Sequence, residues 1–173
     1  VLVRLKKIPS SDLRSLVKDL STNSFAFVLD SINDPQNVGA VLRVAVAIKA
    51  VAVVLSQRKG ALLTPGVHRA SAGLSFFAPV TAPGNLVGAV KDLKSAGFWI
   101  VAASSSNEAQ DATKFDWPEK TALILGSEES GIRPLLLRES DYHIRLPMEP
   151  KVESLNVAVA SGILAYLWKQ RWG

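Results

Sequence analysis

The sequence predicts an α/β domain built on a mainly parallel sheet with helices on both faces. Two patterns carry this expectation. The strand candidates are continuous apolar runs, such as Phe25-Ala26-Phe27-Val28-Leu29 and Ala122-Leu123-Ile124-Leu125, which marks strands buried on both faces. They also alternate along the chain with stretches of helical pattern, as crossover units require. With 173 residues, 48% of them hydrophobic, the chain suits one globular domain. A chain of this size buries about two-thirds of its surface without disulfide or metal staples.

Each element has its own warrant. A short helical pattern at 12–20 follows Ser10-Ser11, and 25–30 is the first buried strand. Asn33-Asp34-Pro35 is turn chemistry, with Asp34 or Asn37 available to cap a helix over 38–50. The β-branched run 50–55 is the second strand, 56–60 a polar loop, and 65–72 a short helix stopped by Gly73. A short strand at 78–81 precedes a helix capped by Asn85 and ended by Gly97, and the next strand is 98–102. Residues 104–119 read as irregular and polar. The strand 121–125 runs into Gly126-Ser127-Glu128-Glu129-Ser130-Gly131, then a helix at 134–139, a strand at 142–146 and a closing helix over 155–172. Residues 1–24 are set apart as a basic extension, the remnant of a linker to a missing module, and 25–173 form the domain.

The formal net charge is +5, and its distribution is uneven. Between Asp34 and Asp92 there is no acid, while Arg43, Lys49, Arg58, Lys59, Arg69 and Lys91 give residues 35–91 a local +6. That segment is the candidate phosphate-facing surface, with Arg43, Arg58, Lys59 and Arg69 as contacts to the phosphates of an anionic partner that position rather than specify. The absence of cysteine excludes disulfides, thiolate zinc sites and thiol nucleophiles, and it suits a reducing compartment. The expected location is the cytoplasm, an organelle of endosymbiotic origin remaining open. The first seven residues lack the apolar core of a signal peptide. The most apolar window, 38–55, contains Arg43 and Lys49, so no membrane association is expected.

Ligands of open α/β sheets bind beyond the carboxyl ends of the strands, where three polar segments fall: 30–43, 126–131 and 147–156. Neither a G-x-G-x-x-G nor a G-x-x-x-x-G-K-[ST] pattern occurs, and Glu128 stands where a nucleophile elbow needs serine. His68 and His143 have no metal-ligand companions at useful spacing, so no metal site is expected. The remaining small, weakly polar loops suit an adenosine-sized ligand held by main-chain bonds and apolar contacts.

Taken together, the three segments resemble a known family. Asp30-Ser-Ile-Asn-Asp-Pro-Gln-Asn-Val-Gly-Ala-Val-Leu-Arg43, Leu123-Ile-Leu-Gly-Ser-Glu-Glu-Ser-Gly131 and Leu146-Pro-Met-Glu-Pro-Lys-Val-Glu-Ser-Leu-Asn-Val-Ala-Val-Ala160 are similar, in order and spacing, to the motifs of SpoU/TrmH RNA methyltransferases of the SPOUT superfamily, nearest the large-subunit rRNA branch. The resemblance implies a C-terminal trefoil knot, an S-adenosylmethionine pocket, and a homodimer whose sites borrow residues from both chains. It further implies methyl transfer to a ribose 2′-hydroxyl, on ribosomal RNA in preference to tRNA.

By the same resemblance Arg43, Asn37, Glu128, Ser154 and Asn156 carry catalysis, and Leu125, Gly126, Ile144, Leu146, Ser154, Leu155 and Asn156 bind the cofactor. A guanidinium is a poor general base, so a bidentate grip on a phosphate beside the target ribose is the easier role for Arg43. Asn37, six residues earlier, is placed toward a neighbouring helix face. One departure stands out: Glu149-Pro150-Lys151 occupies a segment where the family usually has glycine. Three alternatives remain open at this point: a tRNA ribose methyltransferase, a non-catalytic RNA-binding relative, and an unrelated nucleotide-binding enzyme without a knot.

Overall fold

A computed structural model describes residues 12–20, 23–57, 62–152 and 154–173. In chain order the elements are α1 (Leu13–Leu16), β1 (Ser24–Asp30), α2 (Pro35–Ala47), β2 (Ala52–Leu55), α3 (Pro65–Ala70), a 3-10 turn (Leu74–Phe76) and β3 (Val80–Thr81). There follow α4 (Leu86–Ser95), β4 (Trp99–Ala103), β5 (Gln110–Asp111), β6 (Lys120–Gly126), α5 (Pro134–Glu139), β7 (Tyr142–Arg145) and α6 (Val157–Trp172). The strands form one sheet in the order β3-β2-β1-β6-β4-β7-β5, and every pairing is parallel. The sheet and its helix layers are those the sequence predicts.

Burial on both faces explains the continuous apolar runs. All seven residues of β1 are buried, and they alternate between two cores. Phe25, Phe27 and Leu29 point to the side of α2, α3 and α6, where Val41, Leu42, Val67, Leu164 and Trp168 meet them. Ala26 and Val28 point to the side of α1, α4 and α5, against Leu13, Val90, Leu93 and Leu136. Residues 13–20 therefore pack on the domain through Leu13 and Val17, and Arg14 pairs with Asp92 of α4 at 2.9 Å.

Capping sets the boundaries. Asp34, not Asn37, caps α2 by accepting from Gln36 N at 2.9 Å, and Pro35 fills the first turn, so the helix starts three residues before the expected 38. Asn85 caps α4 as expected, accepting from Val87 and Gly88. Asn156 caps α6 and moves its start from 155 to Val157. β5 was not foreseen: Gln110 and Asp111 lie in the stretch read as irregular, yet they pair with Ile144 and Arg145 of β7. Its end is held by Thr113, whose hydroxyl and backbone N–H keep the Asp111 carboxyl below the usual carboxylate range.

Candidate active site

The carboxyl ends of β4, β6 and β7 open onto a cavity of about 380 Å³. Leu125, Ile144, Leu146, Leu155, Val157 and Leu164 give it apolar walls, and the loop 126–131 forms a polar rim. Leu125, Gly126, Ile144, Leu146, Ser154 and Leu155, residues that the resemblance assigns to the cofactor, all line this one cavity. Ser104 and Ser105, just past β4, line it as well; sequence reasoning passed over them as part of an irregular segment. Their only signal was polarity directly after a buried strand.

The loop after β6 is tightly built. A Cβ on Gly126 would lie within 2.4 Å of backbone atoms of Gly131 and Ile132, so only glycine permits that approach. Ser127 and Gly131 face each other across an isolated bridge, and Gly131 turns the chain at φ +65°. Beyond the loop, Arg133 donates from its backbone N (2.8 Å) and its Nε (2.7 Å) to the wholly buried carboxylate of Asp30.

At the loop tip Glu128 gathers donors from two other motifs. Its Oε1 accepts from Asn156 Nδ2 at 2.8 Å, Asn37 Nδ2 at 3.2 Å and Val157 N at 3.4 Å. Asn156 Nδ2 also donates to Asn37 Oδ1 at 2.8 Å. The amide orientations follow from the capping: Asn156 Oδ1 accepts from Ala158 N and Val159 N, which leaves only its NH₂ to face Glu128. Asn156 is thereby fully engaged and is not among the residues lining the cavity, where it was expected to touch the cofactor. Among the described residues nothing donates to Glu128 Oε2, and Ser154 presents a hydroxyl bonded to none of them.

Arg43 stands apart from this cluster. Six residues advance a helix by about 9 Å and leave side chains about 120° apart, not on neighbouring faces. Arg43 is exposed, lines no part of the cavity, and has no ionic or hydrogen-bond partner among the described residues. It lies one turn beyond Gly39, the glycine that lets Ala70 and Ser71 of the α3 segment approach α2. Arg69, in the last turn of α3, is exposed as well. Arg58 and Lys59 lie outside the described residues.

The acid-free segment does not form a single surface. Lys49 sits in the turn that leads into β2, at the end of the sheet away from the cavity. Lys91 belongs to α4 on the opposite face, 3.5 Å from Glu139. Of the two histidines, His68 bonds Ser75 Oγ at 2.7 Å and stacks on Phe76, and His143 Nε2 lies 3.1 Å from Leu137 O. Proline 150 fits its loop: Val152 N donates to Glu149 O at 2.8 Å, so Pro150 holds the second position of a tight turn, which needs no N–H.

A seven-stranded parallel sheet with a cavity at its carboxyl edge and an Asn–Glu–Asn cluster beside it defines the class, and comparison with known proteins gives the family. Residues 24–166 match the model of the SpoU rRNA Methylase family, and the chain belongs to that family. It is 38% identical over 139 residues to the 23S rRNA (guanosine-2′-O-)-methyltransferase RlmB of Pseudomonas syringae, covering 80% of this chain and 55% of that protein. YacO of Bacillus subtilis, named for the TrmH family of tRNA/rRNA methyltransferases, is 35% identical over 155 residues, covering 90% of this chain and 62% of YacO. The AdoMet-bound rRNA methyltransferase of Sinorhizobium meliloti superposes with a TM-score of 0.85 at 25% identity, covering 94% of this chain and 61% of that one. The chain thus spans a little over half the length of these relatives.

Proposed function

We propose that this chain is the methyltransferase domain of an S-adenosylmethionine-dependent RNA ribose 2′-O-methyltransferase. The observation that carries the reading is the convergence of Asn37 and Asn156 on Glu128, one residue from each motif, with Glu128 itself lining the cavity. The cavity suits the cofactor chemically: about 380 Å³ falls in the range of small-molecule sites. Its apolar walls fit an adenine ring, backbone groups of 126–131 and Leu146 offer polar contacts, and the Glu128 and Glu129 carboxylates favour a positive charge. When bound, S-adenosylmethionine supplies an activated methyl group on a sulfonium.

The side chains then have the remaining tasks of positioning and proton removal. Leu125, Gly126, Ile144, Leu146 and Leu155 hold the adenosine, with Ser104 and Ser105 added to the expected set. Glu128, fixed through Oε1, turns its free Oε2 toward an incoming hydroxyl, and Ser154 offers a second contact. Arg43 grips a phosphate beside the target ribose and lowers the cost of forming its oxyanion. Its separation from the Glu128 cluster within one chain supports a homodimer in which Arg43 of one protomer serves the pocket of its partner. Val159, Ile163 and Tyr166 form an exposed apolar stripe along α6 that suits such an interface. The family's C-terminal knot belongs to the same proposal.

Ribosomal RNA is the favoured substrate, because relatives named RlmB act by name on 23S rRNA. Calorimetry with S-adenosylmethionine, followed by transfer of labelled methyl to RNA, tests the reading. Binding with transfer supports it. Binding of RNA without binding of cofactor at millimolar concentration makes the chain a non-catalytic RNA-binding relative.

A further inference from the structure

The carboxylate of Asp30 is 0% exposed at the end of β1, yet no part of the proposed chemistry uses it. Its Oδ1 accepts from Arg133 Nε at 2.7 Å and from Ser31 Oγ at 3.1 Å, and its Oδ2 accepts from Arg133 N at 2.8 Å. Asp30 is also the register partner of Gly126 across the β1–β6 pair. One residue therefore holds both ends of the loop that carries Glu128: its backbone sits beside Gly126, the first residue, and its side chain grips Arg133, two residues past Gly131, the last. Inside those ends, the Gly126 backbone lies hard against Gly131 and Ile132. The loop is a closed ring with Glu128 at its tip.

Arg133 is half outside this arrangement. Its side chain is 47% exposed, and apart from Nε its guanidinium makes no hydrogen bond to a described residue. Surface arginines at such exposure are usually free to move; this one is pinned by a buried acid that has no other cationic partner among the described residues. The pair also sits where Ser31 adopts φ +59°, a backbone strain that persists only where the surroundings over-determine it.

We infer that Asp30 and Arg133 are a positioning pair for the reaction: they set the height of the 126–131 ring and thereby place Glu128 where Asn37 and Asn156 can reach it. This rests on the proposed role of Glu128. The pair touches no substrate and acts only through the loop.

A double-mutant cycle on the full chain tests it, using single-turnover methyl transfer at saturating S-adenosylmethionine and normalised to cofactor-binding sites. Arg133→Ala is expected to slow transfer by about tenfold or more, and Arg133→Lys, which keeps the charge but not the planar fork, by about threefold. Combined with Glu128→Gln, Arg133→Ala is expected to add less than about twofold, because both act through one carboxylate. Arg133→Lys carries the same cycle where the alanine variant does not fold. A parent-like rate in both Arg133 variants, or losses that multiply with Glu128→Gln, would overturn the inference. Full activity of Glu128→Gln alone would instead overturn the Glu128 reading itself, and that result is read without any change at Arg133.

Discussion

Asn156 caps α6 with its Oδ1 and holds Glu128 Oε1 with its Nδ2 at 2.8 Å, so one side chain starts a helix and orders a loop 28 residues earlier. The two duties separate by substitution. Asn156→Ala loses both and should cost about 1 kcal/mol of stability, a fall of roughly 2–4 °C in Tm. Asn156→Ser keeps a capping oxygen but loses the amide donor. Its melting temperature should stay within about 2 °C of the parent while methyl transfer falls at least tenfold, as thermal melts and single-turnover rates will show.

Arg43 should be expendable for folding. It is exposed and unpaired among the described residues, so Arg43→Ala should change stability by less than about 0.5 kcal/mol. Cofactor affinity measured by calorimetry should stay within about twofold, while transfer drops about 100-fold or more. An active variant removes Arg43 from the mechanism.

If Arg43 serves the pocket of the partner protomer, two inactive proteins should rescue each other. Mixed dimers of Arg43→Ala and Glu128→Gln chains carry one doubly defective site and one intact site, and should recover up to about a quarter of parent activity after subunit exchange. Recovery of none places Arg43 in its own chain's site. Light scattering should find the parent near 37 kDa, about twice 18.6 kDa, and Ile163→Glu, in the exposed α6 stripe, as a monomer.

The two loop glycines should fail for different reasons. At Gly126 an added methyl meets backbone within 2.4 Å, so Gly126→Ala should cost about 1–3 kcal/mol and weaken cofactor binding. At Gly131 nothing lies within 4 Å, and Gly131→Ala should cost only the left-handed backbone term, about 1–2 kcal/mol. Denaturant melts and calorimetry read both.

The sheet was legible because β1, β2, β4 and β6 are buried on both faces and so write unbroken apolar runs. Gln110 and Asp111 write none: a two-residue edge strand is made by its neighbour β7, not by its own side chains. The three motifs marked Asn37, Glu128 and Asn156, but the bonds among them span up to 119 residues and depend on the fold. Asp30 and Arg133, 103 residues apart, carried one faint sign, an acid closing an apolar run. The charge segment misled in part because residues contiguous in sequence cross the sheet, which sends Lys91 to the face of α5 and leaves Arg43 with α3.

Ribose methylation by this protein is read directly by incubating it with S-adenosylmethionine labelled in its methyl group and with rRNA and tRNA pools, then digesting the RNA in alkali. A 2′-O-methyl group blocks cleavage at the neighbouring phosphate. Label is expected in alkali-resistant dinucleotides, stronger from rRNA than from tRNA. Label confined to mononucleotides, or none in any RNA while the cofactor binds, would contradict ribose methylation.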